Sequence, residues 1–272
     1  MKNILVPCDF SKPAEDAFRF AIDIARQSGG QVHVLYVINM TFLHGRPSMS
    51  NAYAFNLNFL KDIEKESDEK FRVMWSRYAP FTMKVMFRHV ISSLVPEVEQ
   101  YIRDYAIDLV IMGTHGEGNA VIGSNTDKVV RRSPVPVLSV RTYPGRIEKI
   151  ILPIMGAHEN RHFVDAVKEL QTFFQAHLHI VYINTPLYFR NEPDALHDLE
   201  RFAQGKFTNY TLYIRSDYTV EAGIAHFATE IDADLIALGT HAWKGLLHLI
   251  VGSVAEDLIN NLKTPIWTFH LR

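Results

Sequence analysis

The sequence contains a single cysteine, Cys8, among its 272 residues. One cysteine excludes an internal disulfide and a zinc site made of cysteines alone, and we expect Cys8 to be a small core residue. The 28 Lys and Arg balance 30 Asp and Glu, giving a formal charge of −2, so neither a nucleic-acid nor a membrane partner is indicated. The apolar run within MKNILVPCDF is too short for a signal peptide, and no run of about 18 apolar residues occurs elsewhere in the sequence. We therefore expect a cytoplasmic chain whose fold requires no metal.

Catalytic motifs are also missing. The sequence has no G-x4-G-K-(S/T), H-E-x-x-H or G-x-S-x-G pattern. His115 and His241 occupy equivalent loop positions, but no second histidine or carboxylate lies beside them at the spacing of metal ligands. We expect both to be solvated or bonded to backbone, and we expect no catalytic and no metal site.

The stretch from Asp108 to Ser139 organises the rest of the chain. It predicts a buried strand, a loop with four glycines, a helix that opens at Ser124 to Thr126, and an apolar strand from Val135 to Val140. The free amides and the positive dipole end of a helix N-terminus attract anions. This pattern predicts a phosphate-sized anion site at the carboxyl edge of a parallel sheet.

The same stretch occurs a second time, from Asp234 to Thr268, and the match extends upstream, where Ile4 to Pro7 recurs as Ile151 to Pro153. The repeat predicts two domains, residues 1–142 and 147–272, each with alternating strands and helices. That order indicates parallel sheets with helices on both faces. We expect the third strand of the first domain at Thr82 to Phe87. A shorter connection, with no element assigned, should lead to the corresponding strand of the second domain.

Two local features leave alternatives open. Asp9 follows the first strand and could bind a ligand or cap the next helix, although we expect Ser11 to be the cap. The last strands of the two domains, Val135 to Val140 and Pro265 to His270, are apolar and would be exposed sheet edges. We expect them to pair with each other, so that the chain resembles a dimer made within one molecule, with further dimerisation left open.

Taken together, these signals resemble a tandem member of the universal stress protein family. The N-terminal half has ILVPCD and GTHG...GSNTDKVVRRSPVPVLSV, and the C-terminal half has ILPIM and GTHAWKGLLHLIVGSVAEDL. The resemblance covers nearly the whole chain, and Met40 to Phe55 is its least typical part. It implies an α/β fold of two doubly wound domains, each with a five-stranded parallel sheet in the order 3-2-1-4-5. In the ATP-binding branch, it also implies a nucleotide across the strand ends.

The resemblance further implies which residues bind the nucleotide. Asp9 matches a carboxylate that contacts adenosine, and Val37 matches the backbone position that meets adenine. The implied site in the N-terminal half consists of Pro7, Asp9, Val37, Met112, Gly113, Gly116, Gly123, Ser124 and Asn125. The corresponding positions of a degenerate second site are Pro153, Ile183, Gly239, Gly252 and Ser253.

Both halves depart from the family pattern G-x2-G-x9-G-(S/T). Only six residues separate Gly116 from Gly123, while the second half has Ala242 for a glycine and Met155 for the carboxylate. We therefore expect any ATP, ADP or AMP in the N-terminal half, with the smaller nucleotides favoured.

Two functions follow from the resemblance. The first is a stress-response regulatory protein that binds an adenine nucleotide, hydrolyses it slowly and incidentally at most, and contacts a protein partner that the sequence does not identify. The alternative is an interaction scaffold whose degenerate phosphate loops bind no nucleotide.

Overall fold

The computed structural model describes residues 1–39, 52–114, 124–154, 160–240 and 250–270, of which 52–60, 124, 240 and 250–253 are described by their backbone alone. By its internal contacts the chain divides into two compact units, residues 1–135 and 136–272. No helix within the described ranges combines the length and the apolarity needed to cross a bilayer.

The first unit alternates strands and helices, as the apolar patterns predict. The strands are parallel and follow the order β3-β2-β1-β4. Nearly all residues of β1 and β4 are buried, because helices cover both faces of the sheet. The strands are β1 (Asn3–Pro7), β2 (Gln31–Ile38), β3 (Val85–Ile91) and β4 (Leu109–Gly113), and the helices are α1 (Lys12–Ser28), α2 (Ala52–Tyr78), α3 (Leu94–Asp104) and α4 (Ser124–Arg132).

The second unit repeats this arrangement. Its parallel strands follow the order β10-β9-β6-β7-β8. Numbered along the chain within this half, the order is 5-4-1-2-3, which is 3-2-1-4-5 read in the opposite direction. The strands are β5 (Val137–Val140), β6 (Lys149–Pro153), β7 (His177–Asn184), β8 (Tyr210–Ser216), β9 (Leu235–Thr240) and β10 (Ile266–His270); the helices are α5 (Arg161–Phe174), α6 (Glu192–Ala203), α7 (Val220–Glu230) and α8 (Ile250–Asn261), with a 3-10 turn at Pro186–Tyr188.

The last strand of the first repeat, β5, is grouped with the second unit, because it pairs there with β10. The pairing is antiparallel, and it places Leu138 opposite Trp267 and Ser139 opposite Ile266. The predicted pairing of the two last strands is therefore confirmed. The predicted fold class, α/β with the strand order 3-2-1-4-5 in each half, is confirmed as well.

One expectation about an individual element is wrong. The third strand, β3, begins at Val85 and not at Thr82, because a turn precedes it in which the Met83 amide donates to the Pro80 carbonyl (2.9 Å). The connection from β7 to β8 is shorter than the one from β2 to β3, as expected, and it contains a full helix, α6. The Asn191 side chain caps α6 by accepting from the Asp194 amide (2.9 Å).

Each half places a histidine at the same position of its second strand. Nδ1 of His33 lies 3.2 Å from the Tyr101 hydroxyl, and Nδ1 of His179 lies 3.2 Å from the Tyr213 hydroxyl. Burial lowers the pKa of both imidazoles, because a charged ring loses hydration there. The pKa of His179 falls to about 4, with the charges of His177 and Lys149 adding to the effect.

We expect His179→Gln to flatten the pH dependence of unfolding between about pH 6.5 and pH 4. The ordinary histidine pKa is 6.5, whereas the folded chain holds that of His179 at about 4. Between these values the unfolded chain binds more protons, so the free energy of unfolding falls as the pH falls. The variant lacks this titration and should lose less stability on acidification. Urea unfolding at several pH values measures the difference, and identical pH profiles for the variant and the wild type would contradict the prediction.

Candidate functional site

The site predicted for the N-terminal half lies at the carboxyl edge of the first sheet. Pro7 ends β1 opposite Leu35 of β2, and Val37 lies two residues beyond that level. Leu5 pairs with Val110 of β4, so Pro7 and Met112, each two residues further on, lie at the same level near the carboxyl ends of their strands. Three of the predicted positions, Pro7, Val37 and Met112, are thus brought to one edge, where ligands bind in open α/β sheets.

The Asp9 carboxylate is exposed and fixed in position at this edge. Its Oδ1 accepts hydrogen bonds from the Ser11 amide (3.0 Å) and the Ser11 hydroxyl (2.5 Å). Among the residues that the structure describes, none donates to Oδ2. One oxygen therefore orients the carboxylate, and no described residue donates to the other.

Ser11, and not Asp9, caps the helix that follows. Its hydroxyl oxygen accepts from the Ala14 amide (3.4 Å) at the start of α1. The same hydroxyl donates to Asp9, so one side chain caps α1 and orients the carboxylate. This settles the alternative left open by the sequence, and the expectation that Ser11 is the cap is confirmed.

Phe10, between these two residues, adopts a left-handed backbone conformation with φ of 62°. This conformation costs a residue with a side chain about 1–2 kcal/mol relative to the right-handed region. Contacts of its ring offset the cost, since the Phe10 ring centroid lies 5.3 Å from that of Tyr36 and 6.2 Å from that of Phe87. The turn that contains Asp9 is thus stabilised by the Ser11 cap of α1 and by the packing of the Phe10 ring.

Gly113 is required by packing at the end of β4. A Cβ at this position would lie 2.6 Å from the Pro13 carbonyl carbon and 2.7 Å from the Ala14 amide nitrogen. Only glycine lets the first turn of α1 approach β4 so closely. The next residue, Thr114, is buried, and among the described residues its hydroxyl has no hydrogen-bond partner. The carboxyl end of β4 therefore combines close backbone packing with a buried hydroxyl.

Helix α4 begins at Ser124, as predicted. The first amides of a helix have no partner within the helix, so those of Ser124 and Asn125 are candidates for binding an anion. Asn125 is exposed, and the Thr126 hydroxyl donates to the Gly113 carbonyl (3.3 Å), which joins the start of α4 to the end of β4. The predicted ligands Gly116 and Gly123 lie outside the described residues.

The second half has an equivalent edge. Pro153 ends β6 opposite Val181, and Ile183 lies two residues further along β7. Gly239 lies near the end of β9. The repeated motif predicts that Gly252 and Ser253 open a helix. In the structure α8 already begins at Ile250, so these two residues are its third and fourth. Met155, Ala242 and His241 lie outside the described residues, as does His115 of the first half.

Cys8 is a buried, protonated thiol next to this edge. The thiol is buried, accepts from the Phe10 amide (3.4 Å), and lies 4.0 Å from the Met74 sulfur. Burial raises the pKa of the Cys8 thiol to about 12, so it is protonated at neutral pH and a poor nucleophile. The expectation that Cys8 is a core residue is confirmed. Within the described ranges, His, Cys, Asp and Glu form no group of three or more that could hold a metal ion.

Comparison with known proteins identifies the family to which the chain belongs. A model described as the universal stress protein family matches residues 1–141 and 146–270. The chain belongs to the universal stress protein family. The resemblance seen in the two repeated motifs is thereby confirmed.

Several relatives within the universal stress protein family share the tandem form or half of it. The universal stress protein Slr1230 of Synechocystis sp. is 22% identical and aligns over 99% of this chain and 100% of its own length. A universal stress protein from Archaeoglobus fulgidus has the same fold, with a TM-score of 0.71 at 18% identity and 98% of each chain covered. Another universal stress protein is described in complex with cAMP; it covers 47% of this chain and 100% of its own, with 17% identity and a TM-score of 0.37.

Proposed function

We propose that this universal stress protein is a stress-response regulatory protein that binds one adenine nucleotide, in its N-terminal half. The observation that carries the proposal is the Asp9 carboxylate, oriented by Ser11 through Oδ1 and open to a ligand at Oδ2. We propose no turnover beyond slow, incidental ATP hydrolysis.

Electrostatics suggest how the nucleotide lies. A carboxylate accepts hydrogen bonds from ribose hydroxyls or from an amino group, and it repels phosphate. The free amides at the start of α4 favour phosphate. The sugar and base therefore belong beside Asp9 and the phosphates beside Ser124 and Asn125, with Met112 and Gly113 between them at the end of β4.

Loop length supports a small nucleotide. The six residues between Gly116 and Gly123, where the family pattern has nine, leave fewer amides for the outer phosphates. AMP and ADP need fewer phosphate contacts than ATP. We therefore propose that the site holds AMP or ADP at least as tightly as ATP.

Isothermal titration of the full, nucleotide-stripped chain tests the proposal. Titration with AMP, ADP and ATP should give one site per chain, with ATP no tighter than ADP. Two equivalent sites would contradict the assignment to one half. Absence of binding by all three nucleotides would favour the scaffold alternative.

We expect Ser11→Ala to weaken nucleotide binding and to lower the free energy of unfolding by about 1 kcal/mol, because it removes both the helix cap and the group that orients Asp9. Ser11→Thr retains a hydroxyl and should therefore preserve most of the nucleotide affinity and most of the free energy of unfolding. The matched control is Thr219→Ala, since Thr219 caps α7 through the Ala222 amide (3.1 Å) and lies in the other half. Urea unfolding should show similar losses for the two alanine variants. Titration should show weaker binding for Ser11→Ala alone, and equal affinities would disprove the orienting role.

A further inference from the structure

Three large side chains project into solvent from two loops at the carboxyl edge of the second sheet. Leu187 is 78% exposed, Phe189 75% and Tyr218 88%. A single exposed apolar residue is ordinary, but several in one place mark an interaction site. We call Leu187, Phe189 and Tyr218 the apolar corner.

Hydrogen bonds to Asn184 bring the two loops together. The Asn184 side chain binds the backbone of Arg190 twice, accepting from its amide (2.9 Å) and donating to its carbonyl (2.7 Å). The Asn184 backbone carbonyl accepts from the Asp217 amide (3.0 Å). Phe189 directly precedes Arg190, and Tyr218 directly follows Asp217. Because Arg190 and Asp217 are both bonded to Asn184, Phe189 and Tyr218 lie at the same corner.

Further bonds hold the first loop in shape. Thr185 is buried and its hydroxyl accepts from the Tyr188 amide (3.3 Å), while the Tyr182 hydroxyl donates to the Tyr188 carbonyl (2.9 Å). The loop is thus ordered by buried polar contacts while its apolar side chains stay outside. This order reduces the entropy that a partner would lose on binding the apolar corner.

The surroundings of the apolar corner are acidic. Residues 185–204 and 217–226 contain six carboxylates and two arginines, a formal charge of −4, whereas the whole chain has −2. Both arginines, Arg190 and Arg201, contact the same carboxylate, Asp198. The carboxylates not engaged by them are Glu192, Asp194, Glu200 and Glu221, together with Asp217, whose Oδ2 lies 2.6 Å from Nδ1 of His226.

We propose that the apolar corner is the docking surface for a basic amphipathic segment of a partner protein. Apolar side chains of that segment rest on Leu187, Phe189 and Tyr218, and its lysines and arginines face the acidic residues around them. The acidic surroundings repel an anionic membrane surface. This surface goes beyond the proposed nucleotide site and does not depend on it.

Fluorescence anisotropy with the full chain and two labelled model peptides tests the proposal. One peptide is an amphipathic helix of leucine and lysine, and the other has the same length with glutamate for lysine. The lysine peptide should bind more tightly, and its affinity should fall as salt rises, because exposed charges are screened within about 10 Å at 0.1 M. Comparable binding of the glutamate peptide, or no binding of the lysine peptide, would overturn the proposal.

Variants locate the binding. The double variant Leu187→Ser with Phe189→Ser should weaken the lysine peptide by at least about tenfold. The matched control replaces two exposed residues of the first unit, Val73 (55% exposed) and Phe81 (87%), with serine and should change nothing. Equal losses in the two variants would overturn the proposal.

Two further measurements address an unfolded double variant and self-association of this chain. Should circular dichroism show the double variant to be unfolded, Tyr218→Ser replaces it and should also weaken the peptide, whereas unchanged affinity would count against the apolar corner. Analytical ultracentrifugation tests a second copy of this chain as the occupant. Dimers of the wild type that Tyr218→Ser dissociates would overturn the partner proposal.

Discussion

Replacing Asp9 with alanine is expected to weaken binding of an adenine nucleotide by about tenfold or more. A hydrogen bond to a charged group contributes about 1.5–3 kcal/mol, which corresponds to roughly ten- to a hundredfold in affinity. The loss should fall in the upper part of this range, because Ser11 already holds the carboxylate in place and no ordering is needed on binding.

Controls separate the carboxylate from its surroundings. Asp9→Asn keeps the shape and should bind more weakly than the wild type, since it removes the charge. Met155→Ala alters the matching position of the second half and should change little. Isothermal titration of the three variants with AMP measures these differences. Equal affinities for Asp9→Ala and Met155→Ala would contradict the proposed site.

Gly113→Ala is expected to lower the free energy of unfolding by about 1–3 kcal/mol or more, since an inserted methyl group must displace its neighbours. Here the neighbours are backbone atoms of Pro13 and Ala14, 2.6–2.8 Å from the added Cβ. Backbone atoms at the start of α1 cannot rotate away as the end of a side chain can. The change should also disturb the edge at which Asp9 lies.

Gly223→Ala in α7 is the matched control. Its added Cβ would lie 2.4 Å from Cγ2 of Ile183 and 3.2 Å from Cβ of Asp217, so its neighbours must also shift. Alanine in a helix gains about 1 kcal/mol over glycine, and we expect this gain to leave Gly223→Ala less destabilised than Gly113→Ala, whose overlap is with backbone. Urea unfolding of both variants decides the matter. A Gly113→Ala variant as stable as the wild type would show that α1 and β4 can separate without loss.

The sequence alone was sufficient to predict the fold, because the information is repeated. Strand β1 recurs as β6 at a constant offset, and the alternation of apolar strands with helices predicts parallel sheets with helices on both faces. The strand order 3-2-1-4-5 is what the resemblance to the family implies. The pairing of β5 with β10 could be predicted since two apolar edges need cover. The position of β3 could not, because Thr82 to Ile91 contains no glycine, proline, asparagine or aspartate to mark where a strand begins, and the turn at Pro80 decides where pairing begins.

The residues of the candidate site could be predicted from the sequence, but the hydrogen bonds and packing contacts that position them could not. Asp9 and the start of α4 follow from the motifs. The double use of the Ser11 hydroxyl depends on the left-handed turn at Phe10, and residues such as phenylalanine give no sign of positive φ in a sequence. Gly113 looks like a ligand-binding glycine in the motif, yet its packing against α1 is visible only in three dimensions.

A crystal structure of the full chain grown with saturating AMP tests the central claim most directly. The account predicts one AMP per chain in the N-terminal half, with its ribose beside the Asp9 carboxylate and its phosphate at the amides of Ser124 and Asn125. A nucleotide located only over Gly239 and Gly252, or an N-terminal site left empty at saturating AMP, would contradict it.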